Sequence, residues 1–240
     1  MTISEPTTFF TDMFLAGASL SFGLGLTRAA LRERQRSIAL WAAALLAGGA
    51  AALLGGIYHG LGPALGAPVT TVLWKGTVWL AGVSALTSVL GSLTAVLAGQ
   101  LRGPLNAVAW AKFAAYAVWM SGHDEFRFVV YDQMLGMAAI LLLHGYDIAA
   151  RNDRASRFIA LGVFVSVVAA AVQRFGFDLH PDFNHNDLFH AVQIGANYLF
   201  YRGALLLRDR DGEAAGARGE AGAAGTTGAR GEDGGPGKSV

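Results

Sequence analysis

Between residues 9 and 207 the chain is cut by short gaps into apolar stretches, most of them close to the length of a membrane-crossing helix. The stretches fall near 9–26, 38–61, 69–98, 105–120, 126–143, 158–172 and 187–207. A helix needs about 20 apolar residues to cross the hydrocarbon core of a bilayer. Inside that core each backbone N–H and C=O must find its partner within the segment, which leaves helices packed as a bundle. Pro63, Pro68, Pro104 and Pro181 all fall in the gaps, where a missing N–H costs no helical hydrogen bond. The expected fold is all-α, a bundle of seven transmembrane helices.

The gaps differ in charge. The first, 27–37, carries Arg28, Arg32, Arg34 and Arg36, while the second, 62–68, carries no charge. Arg102 follows, then the acidic turn at 123–125, then Arg151, Arg154 and Arg157, then the acid-rich 177–187, then Arg202, Arg208 and Arg210. Basic loops stay on the cytoplasmic side, so arginine in alternate gaps places the N-terminus outside and the C-terminus inside, in a plasma membrane. The composition fits: 53% of residues are hydrophobic and 15% charged, against roughly 25% charged in soluble domains. A net charge of +1 gives no general case for nucleic acid as a partner. With no cysteine, disulfides, thiolate metal sites and thiol nucleophiles are all excluded. Residues 1–8 hold no Lys or Arg to form the basic leader of a signal peptide, so the first apolar stretch is expected to be retained.

Three regions result: a short external N-terminus (1–8), a membrane domain (9–207) and a cytoplasmic tail (208–240). The tail is Gly-rich and lacks the apolar residues needed to pack, which predicts disorder. Glycine recurs there at every third position from Gly216 to Gly237, the spacing of collagen, but only Pro236 is present to pre-set that geometry. Small residues in the second and third stretches, among them Gly48, Gly49, Gly55, Gly56, Gly82, Ser84, Ser88 and Gly91, allow close helix approach.

Ionisable side chains within a bilayer are costly and mark either a site or a structural lock. Counting inward at 1.5 Å per residue puts Asp12, His59, Lys75, Asp132, Asn186 and His190 within roughly 10 Å of the outer boundary. The inner half is expected to hold almost no buried charge. In the seventh stretch Asn186, His190, Gln193 and Asn197 are spaced four, three and four, so they share one helix face that must turn away from lipid. Interhelical hydrogen bonding would account for that face, and so would binding or catalysis. Asp187 could open the helix and orient His190. Pairing of Lys75 or Lys112 with Asp132 would form a structural lock.

Seven helices, a His ending the second and a polar-x-x-x-His pair opening the seventh resemble the superfamily of alkaline ceramidases and adiponectin/progestin receptors. That resemblance implies an intramembrane zinc and hydrolysis of a lipid amide or ester. His59 and His190 match two of the expected ligands. The expected Ser, Asp and first helix-seven His are missing: Gly55 and Asn186 stand at two of those positions, and Lys75 is the nearest ionisable group to the third. A third ligand would have to come from His185, Asp187, Asp12 or Asn186, since catalytic zinc takes three protein ligands and a water. On this reading Asp187, Asn186 or Lys75 would orient substrate or stabilise an oxyanion. Residues 183–190, Phe-Asn-His-Asn-Asp-Leu-Phe-His, look more specifically like an uncharacterised group of seven-helix membrane proteins. The alternative expectation is a non-enzymatic protein that binds or senses a lipid or lipid-like small molecule and has lost the metal set. A carrier is disfavoured by the absence of an evident inverted repeat, and a retinal protein by the lack of a lysine in the seventh stretch.

Overall fold

A computed structural model describes residues 3–211 apart from Pro181. The Gly-x-y array therefore lies outside the described residues. Seven helices make up most of the rest: α1 Pro6–Glu33, α2 Arg36–Leu61, α3 Ala67–Val96, α4 Arg102–Gly122, α5 Arg127–Arg151, α6 Arg154–Phe175 and α7 His185–Ala204. Most run past the apolar stretch that announced them, because a helix continues until its backbone is capped. Arg34 (φ 54°), Asn152 (φ 57°) and Gly176 (φ 65°) stop α1, α5 and α6 in the left-handed conformation. Asp153 opens α6 by accepting from the Ser156 N–H. Asn184 opens α7 in a capping box with Asp187.

Helices α1, α2, α3, α5, α6 and α7 close a ring, each touching the next, and α4 lies outside it against α3. Trp41 of α2 and Phe200 of α7 meet across the ring with centroids 5.2 Å apart. The burial pattern is that of a protein in lipid. Phe14, Leu31, Val72, Val118, Leu142 and Phe164 are exposed around the outside, while Asp12, His144, Asp147, Asp187 and His190 are buried. Five helices, α1, α2, α3, α5 and α6, are long and apolar enough to cross a membrane. Helices α4 and α7 have 21 and 20 residues, about 30 Å each, but carry more polar side chains. The chain is an α-helical membrane protein.

Most of the arginine-bearing gaps gather at one end of the bundle, while Arg127 and Arg174 lie at the other. Arg208 reaches Glu33 (2.8 Å), Arg102 pairs with Asp211, and Arg151 donates to the Val96 carbonyl (3.3 Å). At the opposite end Ser4 N–H donates to the Gly60 carbonyl (3.0 Å), His59 meets Glu5 (3.3 Å) and Lys75 meets Asp124 (2.7 Å). The two ends are referred to below as the arginine end and the histidine end.

Candidate functional site

The polar face expected on α7 forms, and each member faces a neighbouring helix. Asn186 accepts from Gln173 of α6 (3.1 Å). Gln193 donates to Ser166 of α6 (3.2 Å) and to Asn197 (2.9 Å), and Asn197 donates to Ser19 of α1 (2.8 Å). Three of these four contacts cross between helices and are glue of the kind worth about 0.6 kcal/mol each in a membrane, while the Gln193–Asn197 bond lies within α7.

His190 is engaged differently. It is buried, with Nε2 3.2 Å from an Asp12 carboxylate oxygen and Nδ1 3.0 Å from the Thr11 hydroxyl. Thr11 also lies 3.2 Å from Asp187, which is fully buried. One hydroxyl thus bridges the imidazole and a carboxylate, and a second carboxylate faces the other ring nitrogen. The single Thr11 proton has three candidate acceptors, His190 Nδ1, Asp187 and the Thr8 carbonyl at 3.1 Å, so it satisfies one of them at a time. When Thr11 donates to Asp187, Nδ1 must carry a proton to donate to Thr11. The Nε2–Asp12 contact then needs another proton, on the ring or on the acid. When Thr11 instead donates to Nδ1, Nε2–H donates to Asp12, and Asp187 Oδ1 loses the Thr11 proton while Asp187 Oδ2 keeps its bond from Asn184 N–H.

Close helix approach makes room for Asp12. A Cβ added at Gly56 of α2 would stand 2.8 Å from the Asp12 Cβ, so only glycine there lets α1 seat this carboxyl in the bundle. Thr11 was not singled out in the sequence. Its place one residue before an intramembrane Asp, on the first turns of α1, is the signal that could have found it.

The other expected site residues make no hydrogen bond to this cluster. His59, half-buried, pairs with Glu5 rather than with His190. His185 is bonded to Asp178, through its ring Nδ1 (2.8 Å) and its N–H (2.6 Å). Asp178 accepts both bonds, and His185, its ring first, holds the Asp178 carboxyl below the ordinary carboxylate value. Among the described residues no three His, Asp or Glu side chains converge as a metal-ligating group. The donor set does not fit a catalytic zinc of three protein ligands. Lys75 caps the end of α4, donating to the carbonyls of Met120 (2.8 Å) and His123 (3.0 Å) and pairing with Asp124. It is not the partner of Asp132; of the two lysines weighed for that lock, Lys112 provides it at 2.7 Å.

The expectation of an inner half nearly free of buried charge is overturned. Near the arginine end His144 is fully buried, with Nδ1 2.8 Å from Ser156 and Nε2 3.1 Å from Ser92. Ser156 also donates to Asp147 (3.2 Å), which pairs with Arg151 and with Arg210 (3.1 Å). This network was missed because the fifth apolar stretch was ended at residue 143. Helix α5 continues to Arg151, and the i, i+3, i+7 spacing of His144, Asp147 and Arg151 is the pattern that betrays it.

Fold and site together define a helical membrane protein with an acid–imidazole cluster buried between its first and last helices. The chain belongs to a family of unknown function (DUF6962), whose model matches residues 7–209. No curated protein and no solved structure matches it.

Proposed function

We propose that this is a seven-span plasma-membrane protein, N-terminus outside and C-terminus in the cytoplasm, that binds the polar head of a lipid-like small molecule without hydrolysing it. The ceramidase-like resemblance would then reflect shared architecture, with the catalytic metal set lost. The observation that carries this reading is the Thr11, Asp12, Asp187 and His190 cluster. One carboxyl meets the imidazole there and a second reaches it through Thr11, while a further acid, Glu5, pairs with His59 at the same end of the bundle. Acid exceeds base, so the cluster favours a cationic head rich in hydrogen-bond donors, an amine above all. Each charge-assisted hydrogen bond from such a head contributes about 1.5–3 kcal/mol.

The test titrates the full-length protein in nonionic detergent with dodecylamine, dodecanol and dodecanoate. Dodecylamine should bind at least about ten-fold more tightly than dodecanoate, the equivalent of about 1.4 kcal/mol. Asp12→Asn should remove most of that preference. Equal binding of all three probes, or a preference untouched by Asp12→Asn, refutes the reading. Zinc analysis of the same preparations separates it from a metal hydrolase. Stoichiometric zinc that disappears in the His59→Ala, His190→Ala double variant would favour the hydrolase instead.

A further inference from the structure

At the arginine end the turn between α1 and α2, the facing ends of α3 and α4 and the segment after α7 border an open recess of about 760 Å³. That is within the range of pockets that hold whole small ligands. Four guanidinium groups line it: Arg34, Arg36, Arg102 and Arg208. Two carboxylates, Asp209 and Asp211, line it as well, and both are engaged. Asp209 accepts from the N–H groups of Arg36 (2.7 Å) and Ser37 (2.8 Å), capping α2. Asp211 pairs with Arg102, and Arg208 is balanced by Glu33 (2.8 Å). The side chains of Arg34 and Arg36 have no carboxylate partner among the described residues. Asp209 holds the turn that carries both arginines, so the recess keeps two uncommitted cations on a fixed backbone. Apolar residues flank it in sequence. Leu101 and Leu206 are exposed, next to the lining residues Arg102 and Arg208.

We infer that this recess binds the phosphate of an acidic membrane lipid, with Arg34 and Arg36 as its ligands. Guanidinium forks match phosphate oxygens in a bidentate way. The exposed leucines beside the recess give acyl chains an apolar surface, which a free phosphate would not use. The inner leaflet supplies acidic lipids, and each nearby Lys or Arg raises their affinity about five-fold. Removing both arginines should therefore weaken binding about 30-fold. This site is independent of the acid–imidazole cluster at the other end.

Native mass spectrometry of the full chain, released from nonionic detergent with dioleoyl phosphatidylglycerol or dioleoyl phosphatidylcholine, tests the assignment. Wild-type protein should retain the glycerol lipid at least about ten-fold more tightly than the choline lipid. Arg34→Gln, Arg36→Gln should bring the two within about two-fold. Arg34→Lys, Arg36→Lys should keep most of the preference, which separates lost charge from lost folding. Arg28→Gln, Arg157→Gln alters two arginines outside the recess and should leave the preference unchanged. A preference that survives the Arg34, Arg36 glutamine pair, or falls equally in the Arg28, Arg157 pair, overturns the site. Displacement of the lipid by micromolar inorganic phosphate overturns the lipid as its ligand.

Discussion

Adjacent glycines of α2 give a controlled test of how the acid–imidazole cluster is seated. Gly55→Ala and Gly56→Ala make the same chemical change one residue apart, so their helix propensities change alike, by about 1 kcal/mol in favour of Ala. Their surroundings differ. A Cβ at residue 55 would meet the Thr77 methyl at 3.6 Å, an ordinary contact. A Cβ at residue 56 would stand 2.8 Å from the Asp12 Cβ and would also press on the Met13 side chain. Asp12 Cβ is fixed to the α1 backbone and cannot swing aside, so α1 itself must shift. Overpacking of this kind costs about 1–3 kcal/mol. Gly55→Ala should thus be neutral or stabilising, and Gly56→Ala should be less stable than Gly55→Ala by about 1–3 kcal/mol. In a domain of this size that is a difference of about 2–10 °C in Tm. Thermal unfolding in detergent, followed by circular dichroism, reads it directly. Equal melting of the two variants would refute the claim that Gly56 holds α1 and α2 at the distance that buries Asp12.

Two further predictions follow from ion pairs. Asp132 is buried, its second carboxylate oxygen has no hydrogen-bond partner, and Lys112 holds the first at 2.7 Å. Lys112→Met should destabilise the bundle by about 3–5 kcal/mol because it strands that charge, whereas Lys112→Met, Asp132→Leu should recover much of the loss. A double variant as unstable as the single one would contradict this. In the α6–α7 loop, His185 depresses the Asp178 carboxyl. The stability gained from that pairing is complete above the ordinary aspartate value of about 3.9 and is lost as pH falls through the lower folded value. A carboxyl carbon-13 titration should place the Asp178 midpoint below that of free aspartate and move it upward in His185→Ala; an unmoved midpoint counts against the contact.

The bundle was legible because apolar length and arginine alternation are properties of whole segments, which sum over many residues. The ends of the helices were not, because hydropathy reports where lipid stops and a helix stops where its backbone is capped. Asn152 caps α5 nine residues beyond the point where its apolar stretch closes, and His144 and Asp147 lie in that difference. The α7 face was readable from its four-three-four spacing. Its partners were not, since Thr11 and Ser19 come from a helix some 180 residues away and only the ring closure of α1 on α7 brings them there.

The positions where the sequence departs from the ceramidase-like pattern serve packing. Residue 55 lies against Thr77 of α3, Asn186 holds Gln173 of α6, and Lys75 is spent on the end of α4. Asn186 and Lys75 thus join helices where the resemblance implies a ligand or a catalytic group. His190 gives both ring nitrogens to α1. A zinc at His190 would need Asp12 or Thr11 to release it, and among the described residues no three His, Asp or Glu side chains converge to hold the metal. The same engagement suits a ligand that replaces one hydrogen bond with another. An ammonium head donating to Asp12 would free Nε2 without leaving a carboxylate unpaired. Helices α1 and α7 would then report occupancy through the bond from Thr11 to Asp187.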